Sequence, residues 1–312
     1  MDERKPMRIV FMGTPAFAVD SLKALVEAGF DIAAVVTAAD KPSGRGMKLH
    51  PSEVKKYALE HNITVLQPTN LKSPEFNAEL KKIAPDLQVV VAFRMLPEVV
   101  WNLPPLGTIN LHASLLPHYR GAAPINHALI NGETETGVTT FKLQHDIDTG
   151  NILLQKKVAI EESDNAGTLH DKLMKAGSEL LVQTLKEIES GTAREIRQSS
   201  VAAEVELKHA PKIFTPDCEI DWNKSATQIF NHIRGLSPRP GAFTYLNDKR
   251  IIITRASKEH LRPDVTPGQY KTDHKTYLKF ATRDGYICIE ELKPEGKGVM
   301  KVEDFLRGQR NL

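Results

Sequence analysis

At 312 residues, with 41% hydrophobic and 26% charged residues, the chain has room for two domains and the composition of an ordinary folded protein, not of a disordered or fibrous one. Its two cysteines, Cys218 and Cys288, lie far apart with no CxxC pair, which argues against a disulfide scaffold or a zinc ribbon. The net charge of +2 hides an asymmetry: from Ala210 onward 18 Lys and Arg face 13 Asp and Glu, so the last third is basic and mildly favours a polyanionic partner.

In chain order, Arg8–Gly13 is a short β-rich run, and the spacing of Phe17, Leu22, Leu25 and Val26 predicts a helix that stops at Gly29. Strands are expected at 31–40, 63–68, 86–93 and 107–113. The helices between them are expected at 49–62, where Ser52 is a candidate cap, and at 73–85, after a Ser-Pro start. Strands alternating with helices imply parallel β-structure. Leu87–Phe93 is apolar on both faces, as a sheet covered on both sides demands. Segments 137–144 and 150–160 read as a further pair of strands, and 166–191 as one long helix. The reading is therefore an α/β, doubly wound, Rossmann-like domain over 1–191. Weakly periodic residues 192–209 read as a linker. The stretch 210–312, with one helix at 225–236 and several short strands, reads as a small OB-like β-barrel domain. No segment nears the ~20 apolar residues of a membrane helix. The charged first residues run straight into a strand, unlike a signal peptide, so a cytoplasmic protein that does not engage a membrane is expected, as a monomer.

Within "GTINLHASLLPHYRG", Asn110 and His112 lie two residues apart near a strand end, so both face the same side. The ligands of open α/β sheets bind outside the carboxyl ends of strands. A catalytic histidine also needs a carboxylate to set its tautomer and offset its charge. "LQHDIDTGNI" offers two, Asp146 and Asp148, and composition does not choose between them. A lone Asn-x-His on a strand is more often a satisfied polar pair than a catalytic one. His112, His118, His127 and His145 have no metal-ligand spacing, so no metal is expected. Gly13 starts a G-x-G-x-x-G-like run that Pro15 and Ala18 break, which leaves no case for a nicotinamide cofactor.

The stretch from Asn110 to Leu153 resembles the signature of the folate-dependent formyltransferases, N-x-H-x-S-L-L-P-x-Y-R-G followed by a D-x-G turn. "RIVFMGTPAFAVDSL", "DKPSGRGMKLHPSEVK" and the later "APKI…IDWNKSATQIFNHIRGLSPRPGAF" extend the likeness over most of the chain, to the methionyl-tRNA formyltransferase family. The resemblance implies a catalytic triad of Asn110, His112 and Asp148, and thereby selects Asp148 over Asp146. It implies 10-formyltetrahydrofolate as donor, held by Ser114, Leu115, Leu116 and Pro117 and by a loop containing Phe93, Met95 and Leu96. That loop reads "VVVAFRMLP" where relatives commonly have V-V-V-A-Y-G-x-I-L-P, one residue shorter and with Arg94 after the aromatic. The acceptor implied is the methionyl amine of initiator tRNA. Lys41, Arg45 and Lys48 in "DKPSGRGMKL" match the family's tRNA-binding loop. Lys249 and Arg250 in "NDKRI", with Arg234 and Arg239, are candidates for a second RNA surface. A formyltransferase acting on a sugar-nucleotide amine would share the signature, but a small sugar needs neither the GRG loop nor a basic last third. An RNA-binding module with a dead enzyme site is disfavoured because all three triad residues are present.

Overall fold

The computed structural model describes residues 6–43, 48–201 and 206–308. They form two compact units. One comprises Met1–Arg120, Gly137–Val158 and Asp171–Lys208, and the other Gly121–Thr136, Ala159–His170 and His209–Leu312. The sequence division at 191 and 210 differs from this partition in two ways. Segments 121–136 and 159–170 belong to the second unit, and 192–201, part of the stretch read as a linker, belongs to the first. Ile196 exchanges two 2.8 Å backbone hydrogen bonds with Ile152, and Gln198 is buried. Weak periodicity there marks a segment that pairs with distant partners.

The first unit holds a seven-stranded sheet. Its order is Ile152–Ala159, Glu135–Lys142, Thr108–His112, Leu87–Val91, Arg8–Gly13, Asp31–Val36 and Val65–Leu66. The five strands from Thr108–His112 to Val65–Leu66 are mutually parallel, and Glu135–Lys142 joins antiparallel to Thr108–His112. Both faces are covered. Val10 and Met12 pack with Phe76 and Leu80 on one side, while their alternates Ile9 and Phe11 are also fully buried. Local signals begin the helices as the sequence foretells. Ser52 caps Glu53–Glu60 by accepting from the Lys55 N–H at 3.1 Å, and Ser73 caps Pro74–Ile83 from the Phe76 N–H at 3.2 Å.

In the second unit the helix Ala226–Leu236 starts in a Ser225–Gln228 capping box. Its Ile229 and Ile233 pack into a core with Trp222, Phe243, Ile253 and Phe280. The sheet is antiparallel and curled into a half-barrel. It runs Ala242–Leu246, Lys249–Glu259, Tyr286–Pro294, Leu278–Ala281, Tyr270–Thr272, with Met300–Lys301 also against Tyr286–Pro294. The helix Pro124–Ile130 lies against Ala226–Leu236 at Gly235, where a Cβ would fall 2.6 Å from Ile130 Cγ1, so glycine permits the close approach. Among the described residues no helix is long and apolar enough to cross a membrane.

Candidate active site

Alternation along Thr108–His112 puts Asn110 and His112 on one face and Ile109 and Leu111 on the other, where both are buried. Leu111 is held close under the long helix, since a Cβ on Gly177 would meet its Cδ2 at 2.8 Å. His112 is 7% exposed. Its Nε2 lies 2.8 Å from the carbonyl oxygen of Tyr119. A carbonyl only accepts, so Nε2 carries the hydrogen and the ring presents Nδ1 to the site. Nδ1 stands 3.8 Å from Asp148 Oδ2. The ring is therefore oriented by Tyr119, and Asp148 faces the nitrogen that can take up or release a proton. That corrects the expectation that the carboxylate would itself fix the tautomer.

Both residues that meet the imidazole have left-handed backbone: φ is +60° at Tyr119 and +55° at Asp148. Such conformations in non-glycine residues persist only where neighbours hold them. Asp146 is exposed, and its carbonyl accepts from Thr149 Oγ1 at 3.0 Å, which closes the turn that carries Asp148. Asn110 is half-buried, and no described residue hydrogen-bonds its side-chain amide.

The Ser114–Pro117 segment leaves the same strand end and is pinned from below. Thr139 Oγ1 donates to the Ser114 carbonyl at 2.7 Å and accepts from Leu116 N–H at 3.2 Å and from Gln155 Nε2 at 2.9 Å. Gln155 Nε2 also reaches the Leu116 carbonyl at 2.8 Å, and Ser114 Oγ donates to the His118 carbonyl at 2.7 Å. Leu116 and Pro117 are buried and Leu115 is half-buried. The 93–96 loop leaves the end of the neighbouring parallel strand, because Val91 pairs with Leu111. Arg94, the unusual residue of this loop, donates to the Pro68 carbonyl and, at 3.0 Å, to the Thr69 carbonyl, with its guanidinium 5.7 Å from the Phe93 ring centre. The side chain of Leu96 is in the core and that of Met95 is 72% exposed.

Residues 7–185 match the formyl transferase family and residues 212–310 match the formyl transferase C-terminal domain. The methionyl-tRNA formyltransferase of Bacteroides fragilis is 48% identical over 311 residues, 98% of this chain and 96% of that protein. The chain belongs to the methionyl-tRNA formyltransferase family. Two solved structures share its fold at low identity. The N-formyltransferase of Helicobacter canadensis, in complex with folinic acid and dTDP-3-aminofucose, is 22% identical at a TM-score of 0.68, over 91% of this chain and 98% of that one. HypX of Aquifex aeolicus in complex with tetrahydrofolic acid is 18% identical at 0.66, over 97% of this chain and 47% of that one, so this chain spans about half of HypX.

Lys41 and Lys48 stand in the paired strands Lys41–Ser43 and Lys48–His50, with Ser43 opposite Lys48, while Arg45 lies outside the described residues. Lys249 is exposed. Arg250 is not displayed like its neighbour: its guanidinium lies 3.9 Å from the Phe243 ring centre and its Nε is buried. Arg234 is spent on Asn231 Oδ1 and the Glu161 carbonyl, each at 3.0 Å, and Arg239 is exposed. Among the described residues no group of three or more His, Cys, Asp or Glu is placed to hold a metal ion.

Sequence reading missed Thr139, Gln155, Tyr119 and Gln198. Thr139 left a trace, a polar residue within the buried run "GVTTFK". Tyr119 lies within the quoted signature, but its contact with His112 is made by its backbone carbonyl, which no residue type announces. Gln198 left none, since "REIRQSSV" has no period.

Proposed function

We propose that this chain transfers the formyl group of 10-formyltetrahydrofolate to the α-amine of methionyl-initiator tRNA. One observation carries the reading: near-complete, 48% identical coverage of a methionyl-tRNA formyltransferase. The sugar-acting neighbours share the fold at 22% identity or less.

The residues fit both substrates. Two parallel strands end side by side, so a ligand bound there meets the 93–96 loop and the Ser114–Pro117 segment together. Phe93, Met95 and Leu115 offer apolar surface for a flat ring, and the loops' backbone groups offer hydrogen bonds. Leu96 contributes through its backbone, since its side chain faces the core.

An α-amine has a pKa of ~7.7–8.0 in peptides, so a large share is neutral at cellular pH. Its attack on a formyl carbon puts negative charge on the formyl oxygen. The free amide of Asn110 donates to that oxygen, a contact worth ~2.7–4 kcal/mol in comparable sites. His112 takes the amine's proton at Nδ1, because Nε2 is committed to Tyr119, and returns it to the folate nitrogen as the formyl carbon's bond to that nitrogen breaks. Asp148, 3.8 Å from Nδ1, offsets the charge that the proton brings. Lys41, Arg45, Lys48 and Lys249 supply cations for the RNA backbone.

The test is formyl transfer to charged initiator tRNA by the wild-type protein and by His112→Ala. Transfer by the wild type, reduced ~10²–10⁴-fold in the variant, is expected. No transfer by a wild type that binds the folate donor would overturn the tRNA acceptor and move the search to amino sugars.

A further inference from the structure

We infer that Gln198 is a positioning residue that sets the separation of Asp148 from His112. This rests on the reading of Asp148 as the partner of the catalytic histidine. The register explains why such a brace is needed. The strand Glu135–Lys142 runs antiparallel to Thr108–His112, so Thr139 stands opposite His112 and Lys142 opposite Ile109. The chain therefore leaves the sheet three residues behind His112, roughly 10 Å away at strand spacing. The Asp148 turn must come back over that distance, and Asp148 must hold its left-handed φ of +55° at the end of it.

Gln198 supplies the hold. It is 3% exposed. Its Nε2 donates to the carbonyls on either side of Thr149, those of Asp148 and Gly150, both at 2.8 Å. Its Oε1 accepts from Arg120 Nε at 3.0 Å and from Arg120 Nη2 at 2.6 Å. Every donor and acceptor of the amide is thus used. Arg120 directly follows Tyr119, whose carbonyl holds His112 Nε2. One amide thus ties the loop that orients the imidazole to the turn that carries the carboxylate. Gln198 is itself anchored two residues earlier, where Ile196 pairs with Ile152. A glutamine placed only to fill space would not have both N–H groups on one turn and both lone pairs on the neighbouring loop.

Single-turnover formyl transfer, with enzyme in excess, is measured for wild type, Gln198→Leu, Gln198→Glu, Asp148→Asn and the two double variants. Leucine keeps the volume and removes all four bonds. Glutamate keeps an acceptor for Arg120 but turns an oxygen toward two carbonyls, and serves if the leucine variant does not fold. Each single Gln198 variant is expected to lose about 10- to 30-fold in rate, the scale of two hydrogen bonds, with the KM for the folate donor within about twofold of wild type. In the Asp148→Asn background the same substitutions are expected to cost under about twofold, because the residue acts through Asp148. Wild-type rate in Gln198→Glu, or an equal loss in both backgrounds, would overturn the inference while leaving the triad intact. A fully active Asp148→Asn would overturn the triad reading, and the role of Gln198 with it.

Discussion

Replacing Thr139 by valine removes one oxygen and little volume, yet that oxygen is the hub under the Ser114–Pro117 segment. Thr139 is fully buried. Its hydroxyl serves the Ser114 carbonyl, the Leu116 N–H and Gln155 Nε2. Gln155 keeps the Leu116 carbonyl at 2.8 Å, so it loses only part of its bonding. Among the described residues the Leu116 N–H has no acceptor besides Thr139 and would be stranded in the interior, which costs about 1–3 kcal/mol. Losing the bond to the Ser114 carbonyl adds about 1 kcal/mol. The expected destabilisation is therefore about 2–4 kcal/mol, read from the shift in urea midpoint at unchanged m-value. Thr139→Ser keeps the hydroxyl and gives up a methyl, so it should lose no more than about 1 kcal/mol. Because the segment lies at the proposed folate site, the KM for the donor should also rise in the valine variant and stay near wild type in the serine variant. A valine variant within about 0.5 kcal/mol of wild type, or a serine variant as unstable as valine, would refute the reasoning, since both outcomes mean that the hydroxyl is not what holds the segment.

Three further outcomes are expected. A Cβ at Gly150 would fall 1.6 Å from the Lys142 carbonyl oxygen, so Gly150→Ala must shift the backbone beside Asp148; kcat should drop at least about tenfold, and an unchanged kcat would show that the turn tolerates the shift. Arg45→Ala should raise the KM for charged tRNA and leave the donor KM unchanged; equal tRNA kinetics in the two proteins would remove Arg45 from the RNA surface. Asp264 is held down to about 2 from its ordinary 3.8 by the hydrogen bond from Lys271, then by that from Tyr286. A depressed carboxylate pKa adds stability above the unfolded value that is lost as pH falls through the folded one, so the wild type should weaken from pH 3.8 toward 2. Asp264→Asn should flatten that limb in acid-unfolding curves, and superimposable limbs would contradict the assignment.

Much of the fold was legible because its causes are local. Ser52, Ser73 and Ser225 cap helices a few residues from themselves, and the parallel strands show as apolar runs. Asn110 and His112 could be placed on one face from strand period alone. The stacking of Arg250 on Phe243 was not legible, because a cation in a polar turn shows no sign of the ring beneath it. The contacts of Ile196 and Gln198, within the stretch read as a linker, were not legible, since their partners Ile152, Asp148 and Gly150 lie more than forty residues away.

The sequence alone therefore determined the layers, the helix starts and the paired amide and imidazole, all set by neighbours within a few residues. Its resemblance to a known family named Asp148. Only the tertiary structure decided what each atom does there: Tyr119 takes Nε2, Asp148 faces Nδ1 and Gln198 spans the two loops. Those contacts join residues 112, 148 and 198, which sheet pairing brings together, and no spacing rule within one segment encodes a meeting of three.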